Sequence, residues 1–502
     1  MGKGALPVPN DASAQRPATI RETLANREYA AVFAAQAQSS LGDNVARAAV
    51  VALVYRQTNS PILSAAAFAV SYLPWLGVGA LLAAWAERHP YRRTMIGCDL
   101  LRAGIMLALA ALPGLPTGLI IALLFGNALL SPPFDASRSA LMPQLLHGEQ
   151  YVTAIVLNRT TGQVSLIAGY ALGAVLVAVN GSLALLVNGL TFAVSALVIS
   201  LLVRERQPEL KPEQHTNLLR EAADGYRVVF RSPVMRSIAL VVFCGVCFGV
   251  VPEGLAAAWA AHLAGHSDAF GFGVIMTAAA AGFVIGSALI TWLLPPQRRV
   301  ALIRPLAIIT PLALVPALLD PSLPAIVVMT VVAGASLAIT LPAGNGLFVQ
   351  VLPPAYRARA FGVMQSGVHL LQGGAIVLTG WLATYYPLPD VVGYFGIAGL
   401  AATVLIIASW PAQATIADAI AANKVRAAAA QYAAAHGGID DLGEVTIDLA
   451  RVALPARRRP SPGPRREPPM ADPAERTVDL TERTTELGGL PPAPPSQAAR
   501  HS

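Results

Sequence analysis

Between Tyr29 and Trp410 one apolar stretch follows another, each long enough at about 20 residues to cross a bilayer as a helix. In hydrocarbon every backbone amide must be satisfied within the protein, and continuous apolar runs of this length do so as helices. The balance of the 502 residues agrees: 55% are hydrophobic and 13% charged, too apolar for an ordinary soluble domain. About twelve spans can be counted, at 29–55, 62–87, 94–112, 118–131, 153–179, 183–203, 234–263, 270–294, 300–319, 323–351, 360–386 and 391–410. The first span is long and carries charge, so it is expected to stay as an anchor instead of being cleaved as a signal peptide.

The net charge of +7 follows topology and does not point to nucleic acid. Arg88, Arg92 and Arg93, then Arg138, the stretch 204–236, Arg298, Arg299 and Arg304, and finally Arg357 and Arg359 all fall on one side of the spans. The opposite loops hold no Lys or Arg except Arg56. Positive charge collects on the cytoplasmic side, so both termini are expected there, in the inner (plasma) membrane. The expected organisation is a cytosolic tail (1–28), a first six-helix half (29–203), a cytosolic linker (204–233), a second half (234–411) and a cytosolic tail (412–502) that is helical at 416–435 and disordered beyond 455. In that tail, Arg457, Arg458, Arg459, Arg465 and Arg466 either touch anionic headgroups or are simply solvated.

Three landmarks repeat at one offset. Glu253 stands 210 positions after Asp43 (253 − 43), Arg298 the same distance after Arg88 (298 − 88), and Pro353 after Pro143 (353 − 143). Each pair holds an equivalent topological position, which implies two parallel, pseudo-symmetric halves.

The segment from Gly79 to Arg93, with Glu87, Arg88, Arg92 and Arg93, followed by Asp99 and Arg102, resembles the signature between spans two and three of the major facilitator superfamily. The resemblance implies an all-α fold of twelve transmembrane helices. It also implies a cytoplasmic gate built from Glu87, Arg88, Arg92, Arg93, Asp99 and Arg102, with Arg138, Arg298, Arg299, Arg357 and Arg359 in the equivalent loops. The alternative is that these arginines only set topology. Gly42-Asp43-Asn44, the run Phe134 to Pro143, and Leu352-Pro353 with Arg357 and Arg359 are similar to the branch that includes enterobactin exporters and macrolide efflux proteins. Gly169, Tyr170 and Gly173 resemble that branch's glycine-rich exporter motif, with Tyr170 in the place of proline.

Asp43 stands out without any family, because a carboxylate in the middle of an apolar span is costly unless partnered or wetted. Gln36, Ser40, Asp43 and Arg47 share one helical face. Two readings stay open: a proton-coupling group beside Arg47, or a structural Asp43–Arg47 pair. Glu253 is a second coupling candidate, or a side chain reaching for the outer interface. Candidates for a substrate cavity are Gln36, Ser40, Asn44, Tyr72, Trp75, Asn345, Gln365, His369 and Gln372, which otherwise serve helix packing and interhelical hydrogen bonds. Cys98, Cys244 and Cys247 read as packing thiols, no metal site is expected, and no phosphate-binding loop suggests ATP. No cofactor and no enzymatic activity are expected.

The resemblance implies proton-driven efflux of a small amphipathic molecule, such as a drug, siderophore or secondary metabolite, by a monomer with alternating access. The alternatives are an importer or facilitator on the same fold, or a non-transporting sensor or scaffold acting through its tail.

Overall fold

The computed structural model describes residues 18–76, 78–86, 88–112, 114–206, 218–264, 269–293, 301–352 and 357–435. Glu87, Arg298, Arg299 and the tail beyond 435 lie outside them. The described residues are helical throughout, with no strand among them. In chain order the helices are α1 (Ile20–Leu24), α2 (Arg27–Thr58), α3 (Pro61–Ala69) with a 3-10 segment (Val70–Leu76), α4 (Val78–Ala86), α5 (Tyr91–Ala111), α6 (Thr117–Leu129), α7 (Ser131–Leu145), α8 (Glu149–Val179) and α9 (Gly181–Leu202). The amphipathic α10 (Leu218–Arg231) follows, then α11 (Pro233–Gly249), α12 (Val251–Gly254), α13 (Ala256–Ala264), α14 (Ala269–Leu293), α15 (Ile303–Leu312) with a 3-10 segment (Val315–Leu319), α16 (Leu323–Val351), α17 (Arg357–Leu382), α18 (Leu388–Ala408) and α19 (Gln413–Ala435).

Among the described residues nine helices are long and apolar enough to cross a membrane. Three further expected spans fall on elements that miss this standard for visible reasons. The helix α2 is 32 residues long but carries Asp43, Arg47 and several amides and hydroxyls. The second and ninth expected spans are interrupted, with Pro74 inside the first 3-10 segment and Pro311 inside α15. The fourth expected span is longer than 118–131, since α6 and α7 join into one apolar stretch, Thr117–Leu145. Pro132 and Pro133 occupy the first turn of α7, where their missing N–H groups cost no helical bond.

Helix starts follow local rules. Asn26 caps α2 by accepting from the amides of Glu28 and Tyr29, and Ser60 and Ser232 cap helices whose first residue is proline. Close packing of α2 on α8 depends on two glycines of α8. A Cβ at Gly169 would lie 2.5 Å from the Asn44 Cβ, and one at Gly173 would lie 2.8 Å from the Val45 carbonyl oxygen. The small-residue seam lets the two backbones touch.

The two halves pack by one scheme. In the first, α2 packs on α8 and α9, α5 on α9, and α4 on α7; in the second, α11 packs on α17 and α18, α15 on α18, and α14 on α16. The halves meet through a matching pair of contacts, α3 and its 3-10 segment against α17, and α8 against α14. These contacts gather towards one end of the bundle, where Ala65 faces Gly380 and Ala174 faces Gly273.

At the other end of the second half sit α10 and α19. Val228 and Val229 of α10 are buried against α11 and α17. The Asn423 amide of α19 donates to the carbonyls of Gln350 and Leu352 at 2.8 and 3.1 Å, which satisfies carbonyls left over at the end of α16.

Candidate functional site

The 3.6-residue period of α2 places Gln36, Asp43 and Arg47 on one face, as expected from the sequence, and that face lines a cavity of about 230 Å³. The other walls come from α3 and its 3-10 segment, α5, α6, α7 and α9, all in the first half.

Arg102 of α5 is its organising cation. One Nη donates to Asp43 Oδ2 at 3.2 Å and to Ser131 Oγ at 2.8 Å, and the guanidinium lies 4.3 Å from the centroid of the Phe192 ring. The Arg102 side chain is 6% exposed, against 28% for Asp43. An isolated guanidinium this deep in a bundle would be costly, so a carboxylate, a hydroxyl and an aromatic face together compensate it. One turn earlier, fully buried Asp99 accepts from Ser195 Oγ at 2.5 Å. Asp99 Oδ1 has no hydrogen-bond partner among the described residues. The ion-pair partner of Asp43 is thus Arg102, which leaves Arg47 for other groups.

Arg47 reaches Asn44 Oδ1 at 3.5 Å, has its guanidinium 5.9 Å from the Phe68 ring and faces the Tyr170 hydroxyl. Tyr170 donates in turn to Glu253 Oε2 at 3.4 Å, so a tyrosine of α8 stands between a cation of the first half and a carboxylate of the second. Tyr170, 1% exposed, thereby links the halves at the position where the glycine-rich motif has proline.

Other sequence candidates serve different contacts. Tyr72 and Trp75 flank the His369 ring at 5.6 and 5.3 Å, Gln372 hydrogen-bonds His369, and Ser366 Oγ donates to the Trp75 carbonyl at 3.1 Å. Trp75 also lines the cavity. Ser40 and Asn44 bond each other within α2, the Asn44 amide donating to the Ser40 carbonyl at 2.8 Å. Gln365 is exposed, and neither it nor half-buried Asn345 joins the cavity.

Among the described gate residues, Arg92, Arg93 and Arg138 have partners in the first half or at the start of the linker. Arg93 pairs with Glu205 at 2.6 Å, Arg92 donates to the Ser200 carbonyl, and Arg138 pairs with Asp135 at 3.3 Å. Arg88 is exposed. Arg357 opens α17, and the Arg359 carbonyl lies where a Cβ on Gly225 of α10 would meet it at 2.7 Å.

Sequence reasoning missed Ser39, Asn127 and Asn188, which line the cavity. A lone amide inside an apolar span is the signal that could have found Asn127 and Asn188. No cluster of His, Cys, Asp or Glu among the described residues could hold a metal ion.

Comparison with known proteins bears on the fold and the family. Macrolide efflux protein A of Streptococcus pyogenes is 25% identical over 226 residues, covering 43% of this chain and 54% of that protein. The match thus takes in about half the length of the curated relative. Among solved structures, a POT family transporter in complex with a thioalcohol-conjugated peptide superposes with a TM-score of 0.61 at 13% identity, covering 76% of this chain and 96% of the other. The nucleoside transporter NupG gives 0.59 at 14% identity, with 76% and 98% covered. A bacterial homologue of the lysosomal transporter Spinster, in an inward-facing and occupied conformation, gives 0.57 at 15%, with 78% and 97% covered. At these identities the likeness is one of fold. The sequence model described as Major Facilitator Superfamily matches residues 32–320, more than half of the chain. The chain, a multi-pass membrane protein with a charged cavity between its helices, belongs to the major facilitator superfamily of transporters.

Proposed function

We propose that this transporter expels a small amphipathic molecule in exchange for protons, by alternating access of a twelve-helix bundle whose termini both lie in the cytoplasm. The observation that carries the reading is the Asp43–Arg102 pair on the wall of the cavity. A carboxylate held by one cation can take up a proton only if the cation finds another partner, so proton occupancy and cavity geometry are linked. Contacts between the halves at the end bearing Ala65 and Gly380 fit closure on the outer side, with the cytoplasmic side less tightly joined. The likeness to a macrolide efflux protein supports export and makes erythromycin the first compound to test. Glu253, tied to Arg47 through Tyr170, is the second coupling candidate. The gate residues, on this reading, latch the cytoplasmic ends of the helices, Arg92, Arg93 and Arg138 through the partners named above.

A facilitator on the same fold is the second reading. It is favoured by the engagement of Asp43 with Arg102, which gives that carboxylate a structural task as the counter-ion of a buried guanidinium. Reconstitution into liposomes separates the two. A pH gradient drives uphill accumulation if the proton reading holds, and only equilibration if the protein is a facilitator.

A further inference from the structure

The charged groups around the cavity of the first half do not balance. Of the helices that form it, α2 carries Asp43 and Arg47, α5 carries Asp99 and Arg102, and α7 carries Asp135 and Arg138, while α6 and α9 bring no ionisable side chain. The phenols Tyr72 and Tyr170 face Arg47, and the buried thiol of Cys98 lies beside Arg102. Asp135 is taken by Arg138 at 3.3 Å, and Arg47 is matched by Glu253 of the second half through the Tyr170 hydroxyl. Two carboxylates, Asp43 and Asp99, then remain for one guanidinium, that of Arg102. A buried set of charges is least costly when it is neutral, so this trio is one proton short.

Geometry decides where the proton and the cation go. The Asp43 side chain is 28% exposed and lines the cavity, so it is the member of the trio that water reaches. Asp99 is fully buried and does not line the cavity. It stands three residues before Arg102 on α5, a spacing that makes helical side chains neighbours, about 5–6 Å apart at Cβ. Their spare hydrogen bonding is complementary: among the described residues nothing donates to Asp99 Oδ1 and nothing accepts from Arg102 Nε. Ser195 holds the Asp99 carboxylate by donating to Oδ2 at 2.5 Å, while one Arg102 Nη serves Asp43 and Ser131. Buried polar atoms are rarely left without partners, and here a donor and an acceptor one helical turn apart are both left over.

We infer that Asp99 is a positioning residue for proton exchange: when Asp43 takes a proton from the cavity, Arg102 turns its Nε to Asp99 Oδ1 and Asp99 becomes its counter-ion. The proton passes from cavity water to an Asp43 oxygen. Asp99 stays ionised and Arg102 stays protonated, so the trio gains one positive charge and becomes neutral. Ser131 and the neutral Asp43 carboxyl still accept from the Nη, so the guanidinium pivots without leaving the Phe192 ring. The inference rests on the proton-exchange reading and deepens it, because it names the partner that frees Asp43. Asp99 acts through Arg102 alone and needs no contact with the cavity.

The test uses the full chain in lipid nanodiscs and reads two quantities. Infrared difference spectra across a pH series follow the protonated-carboxyl band that Asp43→Asn removes. Asp99→Asn keeps the bond from Ser195 but deletes both the surplus charge and the second partner of Arg102. It should lower the proton affinity of Asp43 at least about tenfold, moving the midpoint of the band about one pH unit to the acid side. Asp99→Glu, which keeps the charge, should bring the midpoint back, and Asp99→Ser, also neutral, stands in should the amide variant fold poorly. A residue that only packs against Ser195 would leave the midpoint where it is. The second quantity is the melting temperature. With Asp43→Asn fixing the neutral state, Arg102 depends on Asp99, so adding Asp99→Asn should lower the melting temperature by several degrees more than the same change does in the wild type. An unmoved midpoint or additive losses overturn the assignment, and the absence of any titrating Asp43 band overturns it together with coupling through Asp43. Neither quantity uses flux. A midpoint unmoved by Asp99→Asn removes the role of Asp99 and leaves coupling standing, whereas uphill accumulation by Asp43→Asn removes coupling through Asp43 and leaves the exchange of partners standing.

Discussion

Arg102 and Asp43 sit on different helices, 59 positions apart, and meet at 3.2 Å with Arg102 the more deeply buried of the two. Burial makes the pair asymmetric. Asp43→Ala leaves a guanidinium in a space that water hardly reaches, at a cost of about 3–5 kcal/mol. Asp43→Asn keeps an oxygen that still accepts from Arg102, so it should cost only about 1 kcal/mol. Thermal unfolding in detergent checks the order. Equally small losses for Ala and Asn would mean that Ser131 and Phe192 already suffice for the cation.

Tyr170 joins Arg47 to Glu253 across the halves. Removing only its hydroxyl, as in Tyr170→Phe, should cost about 1 kcal/mol of stability and raise the rate at which the halves separate. Cysteine pairs across the Ala65–Gly380 contact report that separation through their cross-linking rate. An unchanged rate in the variant would show that the tyrosine is only packed between the helices.

The α2–α8 seam leaves no space at Gly173, where a Cβ would lie 2.8 Å from the Val45 carbonyl oxygen and 2.9 Å from the Ala48 Cβ. Gly173→Val should therefore destabilise by about 1–3 kcal/mol or more through overpacking, while Gly97→Ala, where nothing lies near, should be neutral. Expression level and melting temperature of the two variants test this. Equal behaviour would mean that the seam opens readily.

Asn423 is 6% exposed and closes the end of α16. Asn423→Ala should cost about 1–3 kcal/mol by leaving the Gln350 and Leu352 carbonyls unpaired, unless water replaces the amide. Hydrogen exchange at the last turn of α16 measures it. No faster exchange would place α19 as a passive neighbour.

Hydropathy alone made the architecture legible, because a helix in lipid must be both long and apolar. The signal is weaker where function adds polarity, and one boundary was missed. The helix α2 falls below the apolar standard on account of the residues that form the site, and Pro132 and Pro133 hid the continuation of α6 into α7, although proline in a first turn is tolerated. The face bearing Gln36, Asp43 and Arg47 was legible because helical spacing is local. The partner of Asp43 was not, since no local rule reaches 59 positions along the chain to Arg102. Sequence spacing offered Arg47, four residues away, and in the fold Arg47 turns to Tyr170 and Asn44. Tyr170 read as a departure from a motif, and its bond to Glu253 became visible only when α8 and α12 came together.

On the proposed mechanism a cavity carboxylate couples protons to substrate movement. The direct measurement is pH-gradient-driven accumulation in proteoliposomes of the wild-type chain and Asp43→Asn, using erythromycin or, if that is not carried, a compound that builds up in a strain lacking the protein. Wild type should concentrate the compound against its gradient, while Asp43→Asn, folded and still exchanging substrate across the membrane, should reach equilibrium only. Full uphill accumulation by Asp43→Asn would contradict the account and pass the coupling role to Glu253.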